Sequence, residues 1–188
     1  GKVQTVWNWA TPRPANAPEV KTGFTFLSVG RLVPQKGMDI LIHAFRQAFA
    51  KGEEVSLVIA GDGPERANLE ALAAGDPRIT RQGYGPQVDA LYPAAKIYVS
   101  AARYEPFGLT ILEAMQAGCR LVCTRTQGPA EFLSGFKLDW AEPDNIPSLA
   151  AALTTATKAK KSRIPWDMSP FSSAHALEKI MLFYKKIL

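Results

Sequence analysis

The sequence contains few of the residues that build disulfides and metal centres. Only two cysteines and two histidines occur among 188 residues. Cys119 and Cys123 lack the paired spacing of a zinc site, and His43 and His175 lie far from them in sequence. We therefore expect two reduced thiols in the protein core and no bound metal.

Long apolar runs are missing as well. No stretch approaches the roughly 20 apolar residues that a membrane-spanning helix requires, and no signal sequence opens the chain. We accordingly expect a soluble, cytosolic protein. Hydrophobic residues make up 47% of the chain and charged residues 21%, which is typical of one packed domain and argues against disorder.

The charge balance is basic, with a formal net charge of +5. Such a charge favours an anionic partner, but it does not distinguish nucleic acid, phospholipid and a phosphorylated small molecule. A cluster of cations near the C-terminus is interpreted as the solvated face of terminal helices, and contact with a membrane surface or a partner domain is the alternative. These cations are Lys158, Lys160, Lys161, Arg163, Lys179, Lys185 and Lys186.

Apolar runs and amphipathic segments alternate after a proline-containing stretch at residues 1–23, which we interpret as a connector from an upstream domain. Because the apolar runs are nearly continuous, both faces of the sheet should be covered. The pattern predicts an α/β fold with a doubly wound, mostly parallel sheet and helices on both faces. The predicted strands are 24–30, 55–61, 78–82, 96–101 and 120–124, and the predicted helices are 36–50, 64–74, 87–94, 108–117, 146–161 and 170–188.

Cations and glycines follow the predicted strands, where doubly wound sheets bind their ligands. Arg31 and Lys36 bracket the loop after the first strand, and Gly108 precedes a predicted helix. A helix start after glycine offers unpaired backbone N–H groups and a positive dipole end, which suit a phosphate. Arg31 can bind phosphate oxygens through its planar fork, and Lys36 adds a compact charge. The sequence therefore predicts a phosphate site at this edge.

Two carboxylates flank that helix start. Glu105 lies in the loop before it and Glu113 lies inside the helix, with seven residues between them. A carboxylate accepts two hydrogen bonds and so matches a vicinal diol. The pair could hold a ribose and a sugar on the two sides of a pyrophosphate.

The ordered segments GRLVPQKG, AGDGP, EPFGLTILEAMQAG and LFYKKIL resemble the C-terminal domain of the retaining GT-B glycosyltransferases of family 4. The resemblance covers nearly the whole chain. It implies a Rossmann-like C-terminal half of a GT-B fold, in which residues 24–188 bind a UDP-, GDP- or ADP-sugar without a cofactor. Acceptor binding would belong to an N-terminal domain of the same enzyme, absent from this chain.

The resemblance also implies a role for each matching residue. Three residues would be catalytic, with Arg31 and Lys36 on the diphosphate and Glu105 on hydroxyls of the transferred sugar. Glu113 would bind the ribose, and the segment after the third strand would bind the base. The distal phosphate would be bound by four backbone amides, those around Phe107, Gly108, Leu109 and Thr110. The implied donor-binding set is Gly30, Gln82, Gly83, Tyr84, Phe107, Gly108, Leu109, Thr110 and Glu113.

The sequence departs from the family pattern at Gln127-Gly128-Pro129-Ala130-Glu131, where members often carry a paired glycine. We expect this segment to alter the sugar or acceptor surface near the cleft. No DxD-like acidic pair occurs, so we predict metal-independent transfer in which two cations stabilise the leaving diphosphate. Retention of configuration is an implication of the resemblance, and the chain alone should bind donor better than it transfers sugar.

Other functions were weighed against this one. A non-catalytic sugar-nucleotide-binding module or partner subunit fits the same motifs. A nucleic-acid-binding domain is disfavoured because no aromatic-basic stacking strip or helix-turn-helix pattern occurs. A dehydrogenase is disfavoured because the GxGxxG turn is missing after the first strand.

Overall fold

A parallel sheet forms the centre of the computed structural model, which describes residues 5–9, 24–159 and 163–187. Its six strands lie in the order β3-β2-β1-β4-β5-β6, and every pairing between neighbours is parallel. The strands are β1 Phe24–Val29, β2 Leu57–Ala60, β3 Ile79–Gln82, β4 Ala95–Ser100, β5 Arg120–Thr124 and β6 Asp139–Ala141.

Helices connect these strands in the described part of the chain. They are α1 Met38–Ala48, α2 Arg66–Ala73, α3 Val88–Ala94, α4 Leu109–Gln116, α5 Gln127–Phe132, α6 Ile146–Thr157 and α7 Ser173–Ile187. Short 3₁₀ turns at Pro34–Lys36 and Ser169–Phe171 precede α1 and α7. Parallel strands require such crossovers, so the alternation read from the sequence is a direct consequence of the sheet type.

Two apolar layers enclose the sheet. Successive side chains of a strand point to opposite faces, and in β1 Phe26 joins one layer while Leu27 joins the other. The first layer contains α1, α2 and α6, and the second contains α3, α4 and α5. This arrangement confirms the predicted doubly wound fold with helices on both faces.

Two elements were missed by the sequence prediction. β6 has three residues and only one of them is buried, so it carries no period that could be read. α5 begins with Gln-Gly-Pro inside the segment 127–131, for which no helix was predicted. Pairing with β5 forms β6, and packing of Phe132 in the second layer holds α5. Tertiary contacts therefore decided both.

Most of the predicted connector at residues 1–23 lies outside the described residues, which include only 5–9 of it. Within that short stretch the Trp7 ring lies 5.7 Å from the ring of Phe171. The division into connector and domain stays a prediction.

The C-terminal cations do not behave as one solvated face. Arg163 donates from its guanidinium to the carbonyls of Pro93, Ala95 and Ala117, and so ties its segment to the ends of α3 and α4. The ammonium of Lys179 lies 5.1 Å from the centre of the Trp7 ring. Residues 160 and 161 and the side chain of residue 186 lie outside the described residues.

The two cysteines and the lengths of the helices bear on two expectations from the sequence. Cys119 and Cys123 are buried and neither forms a disulfide, as predicted. Burial raises the pKa of the Cys123 thiol. Among the helices in the described ranges, none combines the length and the apolar character needed to cross a bilayer.

Candidate functional site

The candidate site lies where the strand order reverses. Connections from β1 lead towards β3 on one side, and connections from β4 lead towards β6 on the other. The loops that follow β1 and β4 are therefore neighbours at the carboxyl edge, and the amide of Arg103 donates to the carbonyl of Gln35 at 2.9 Å. In doubly wound sheets this crevice is the usual place for a ligand.

Lys36 and Glu105 meet in that crevice. The Lys36 Nζ lies 2.5 Å from the Glu105 Oε2, although the residues are 69 positions apart. Only 8% of the Glu105 side chain is exposed, against 26% for Lys36, whose aliphatic part passes over Gly30. The structure thus brings together a cation and a carboxylate that the sequence assigned to one ligand.

Gly37 positions Lys36. Its φ of 63° ends the 3₁₀ turn and begins α1, a conformation that favours glycine. A Cβ at this position would collide with the backbone carbonyl of Ala101, next to the end of β4. Lys36 is therefore held against the β4 loop by backbone packing as well as by its own ion pair.

The start of α4 presents unsatisfied backbone donors. Gly108 precedes the helix with a φ of 99°, and the amides of Gly108, Leu109 and Thr110 donate to no residue that the structure describes. The amide of Phe107 donates to the Glu105 carboxylate at 3.3 Å. Free N–H groups at a helix start form an anion site, and here three of the four predicted amides are open to a ligand.

Arg31 remains exposed beside this crevice. Its guanidinium forms no ion pair or hydrogen bond within residues 5–9, 24–159 and 163–187. Its loop is tied to the next one, because the amide of Leu32 donates to the carbonyl of Asp62 at 2.8 Å and Glu65 donates back to Leu32 at 3.0 Å. The backbone is held while the arginine side chain stays accessible.

The segment predicted to contact the base borders a small cavity. Tyr84 is 83% exposed, and the carbonyl of Gln82 accepts from the amide of Gly61 at 2.9 Å. The cavity of about 40 Å³ lies at the ends of β2 and β3 and is lined by Leu32, Ile59, Gly61, Arg66, Arg81, Gln82 and Gly83.

Two larger cavities, of about 440 and 460 Å³, lie at the opposite edge of the sheet. The arginines that line the first are already occupied. Arg78 binds the carbonyls of Phe49 and Ala50 and the carboxylate of Asp76, and Arg46 binds the carbonyl of Ala74. We therefore place the site at the carboxyl edge despite its smaller cavity.

Arg103 was not predicted, yet it holds the site loops together. Its guanidinium contacts both carboxylate oxygens of Asp39 at 2.7 and 2.8 Å, Asp144 at 2.8 Å and the carbonyl of Pro34 at 2.7 Å. The arginine lowers the pKa of Asp39. A cation after β4 was visible in the sequence, but its partners lie 41 to 69 positions away. No local signal could have found this clamp.

Two tyrosines were also missed. The hydroxyl of Tyr92 donates to the carboxylate of Glu113, and the hydroxyl of Tyr98 lies 2.7 Å from that of Thr110. Both aromatic rings are buried within apolar stretches of sequence, where they are indistinguishable from core residues.

Metal-ligating side chains do not cluster in the described ranges, since no group of three His, Cys, Asp or Glu residues could hold an ion there. Metal independence and the individual roles of the site residues stay predictions.

Comparisons with known proteins bear on the family and on the fold. The sequence model of a family described as glycosyl transferases group 1 matches residues 13–167. Over 136 residues, covering 71% of this chain, the sequence is 34% identical to the lipopolysaccharide core biosynthesis glycosyltransferase LpsE of Rhizobium meliloti. This chain covers only 37% of LpsE.

Solved structures share the fold. The lipopolysaccharide outer core galactosyltransferase WaaB superposes with a TM-score of 0.79 and 20% identity, over 98% of this chain and 56% of that one. A mutant of Staphylococcus aureus TarM, solved in a complex that includes UDP, gives a TM-score of 0.76 and 20% identity, over 98% and 40% of the two chains. At these identities the likeness establishes the fold alone.

Proposed function

Because this chain belongs to the glycosyl transferases group 1 family, we propose that it binds a nucleoside-diphosphate sugar at the carboxyl edge of β1 and β4 and assists glycosyl transfer. The predicted resemblance to the C-terminal domain of GT-B glycosyltransferases is confirmed. The observation that carries the proposal is the Lys36–Glu105 pair, 2.5 Å apart, beside the open amides of α4.

The diphosphate would lie between these groups. Its distal phosphate would accept from the amides of Gly108, Leu109 and Thr110, where the helix dipole favours negative charge. Arg31, whose guanidinium is exposed, would bind phosphate oxygens from the side of the β1 loop. Glu105 would accept hydroxyls of the transferred sugar, and Glu113 those of the ribose.

The two cations would contribute most to the reaction itself. Departure of a nucleoside diphosphate concentrates negative charge on the leaving phosphate as the sugar becomes oxocarbenium-like. A cation about 4 Å from that charge is worth on the order of 4 kcal/mol at an effective dielectric near 20. If about 3 kcal/mol of this acts only in the transition state, the rate rises roughly a hundredfold. We propose that Arg31 and Lys36 fill this role without a metal ion and that configuration is retained.

Acceptor binding is proposed to require a second domain. This chain spans less than two fifths of the length of the curated relatives it matches, and LpsE is named for lipopolysaccharide core biosynthesis. We propose that the acceptor belongs to cell-envelope polysaccharide synthesis at the cytoplasmic face of a membrane. On this view the isolated chain binds donor and does not transfer sugar.

Thermal stabilisation by a panel of UDP-, GDP- and ADP-sugars tests the proposal. A ligand at about 100 times its dissociation constant adds roughly 2.7 kcal/mol to the stability of the folded state, so one nucleotide class should raise the melting temperature. Arg31→Ala should weaken that binding at least tenfold without unfolding the protein. Lys51→Ala removes a cation that is also exposed but lies at the opposite edge, and serves as the matched control.

Equal losses in the two variants would mean that only net charge attracts the nucleotide. No stabilisation by any of the three classes would overturn the proposal.

A further inference from the structure

Two buried tyrosines lie directly behind α4. Tyr92 of α3 is 0% exposed and Tyr98 of β4 is 1% exposed, and their rings are 5.9 Å apart and nearly parallel. A buried hydroxyl is costly unless it forms a hydrogen bond. Phenylalanine would fill the same space without that cost, so the partners of the two hydroxyls indicate what the tyrosines do.

Both hydroxyls reach the same face of α4. Tyr92 donates to Glu113, and the Tyr98 hydroxyl lies 2.7 Å from the Thr110 Oγ1. Thr110 and Glu113 are three positions apart and therefore neighbours on one side of the helix. Of the residues that α4 offers to the proposed donor, Thr110 and Glu113 are thus each held by a tyrosine.

The Tyr98 hydroxyl carries one proton and has two neighbours, the Thr110 Oγ1 at 2.7 Å and the carbonyl of Val29 at 3.2 Å. Because a carbonyl can only accept, Tyr98 donates to Val29 and accepts from the Thr110 hydroxyl. Tyr98 therefore links Thr110, at the start of α4, to the end of β1.

We propose that Tyr92 and Tyr98 are positioning residues, Tyr92 fixing the Glu113 carboxylate for the ribose and Tyr98 fixing Thr110 at the helix start whose amides would face the distal phosphate. The inference rests on the proposed function. It adds that the two ends of one ligand are controlled by separate hydroxyl groups, which share a stacked aromatic pair in the core.

Calorimetric binding to the 188-residue chain tests it with UDP, 2'-deoxy-UDP and UMP, and with the guanosine and adenosine analogues in parallel. Tyr92→Phe should weaken the diphosphate about five- to tenfold and leave the 2'-deoxy diphosphate unchanged, because only the ribose contact is disturbed. Tyr98→Phe should weaken both diphosphates by a similar factor and leave the monophosphate unchanged.

The pattern separates positioning from packing. Equal losses for all ligands, or wild-type binding in both variants, would overturn the inference and leave the tyrosines as core residues. Glu113→Gln provides the comparison for the function itself. If it selectively weakens the ribonucleotide while Tyr92→Phe does not, the positioning role is wrong and the ribose contact stands. If wild-type protein binds none of UDP, GDP and ADP, the proposed function fails and the inference fails with it.

Discussion

The two edges of the sheet use charged residues in opposite ways. At the amino edge, Asp76 forms an ion pair with Arg78, which is only two positions away. Arg78 also donates hydrogen bonds to the backbone carbonyls of Phe49 and Ala50. At the carboxyl edge, Lys36 and Glu105 come from loops 69 positions apart. The amino-edge pair is formed within one turn of the chain, and Arg78 anchors it to the end of α1. The carboxyl-edge pair joins two loops that are distant in sequence.

The difference extends to what remains accessible. The Asp76 side chain is 3% exposed and the Arg78 side chain is 12% exposed, so little of that ion pair is accessible to a ligand. At the carboxyl edge, the Arg31 guanidinium and three amides of α4 have no partner within the described ranges. Ionic contacts stabilise the fold at one edge, whereas at the other they arrange groups that a ligand would complete.

Removing Arg78 gives the largest effect that this contrast predicts. Arg78→Ala leaves the buried Asp76 carboxylate without its main partner, which typically costs about 3 kcal/mol or more. Urea unfolding should show this loss in the free energy of unfolding. Nucleotide affinity of the folded fraction should equal that of the wild type, and a large loss of affinity would mean that the two edges are coupled.

The second-largest effect is expected from acid, which should lower the stability that the Asp76–Arg78 pair gives to the folded state. Hydrogen bonds from Arg78 lower the pKa of Asp76 from 3.8 to about 2. The contribution of the ionised Asp76 carboxylate to the free energy of unfolding is therefore complete above about pH 4. Up to about 2 kcal/mol of it is lost as the pH falls from about 4 towards 2.

Asp76→Asn cannot titrate, so its stability should fall less steeply over that range than the stability of the wild type. Parallel acid profiles of the two proteins, followed by urea unfolding at each pH, would show that Asp76 is not responsible.

Removing the Arg103 side chain should change stability least of the three variants, but it tests the function of the site most directly. Arg103→Ala should cost about 1 kcal/mol of stability because the ion pairs are half exposed, and should weaken nucleoside diphosphate binding about tenfold by releasing the Lys36 loop. Arg120→Ala breaks a comparable pair with Asp139, 2.8 Å apart at the amino edge.

The Arg120 variant should lose similar stability and bind nucleotide normally. If calorimetry finds equal affinities for the two variants, Arg103 has no special role in the site.

Much of the fold could be read from the sequence. β5 coincides with the predicted strand at 120–124, and the other long elements differ from prediction by a few residues at their ends. α5 and β6 escaped because six and three residues carry no readable period. Hydrophobic periodicity is local, so it reports elements long enough to repeat it.

The sequence by itself determined the α/β class, the family and the chemical groups that follow each strand. Only the tertiary structure decided which of those groups meet. It brought Lys36 into contact with Glu105. It also placed the carboxylates of Asp39 and Asp144 within hydrogen-bonding distance of Arg103, and two tyrosines behind α4. The physical reason is that secondary structure depends on near neighbours in sequence, whereas a side-chain contact depends on how distant elements pack and on which rotamers that packing allows.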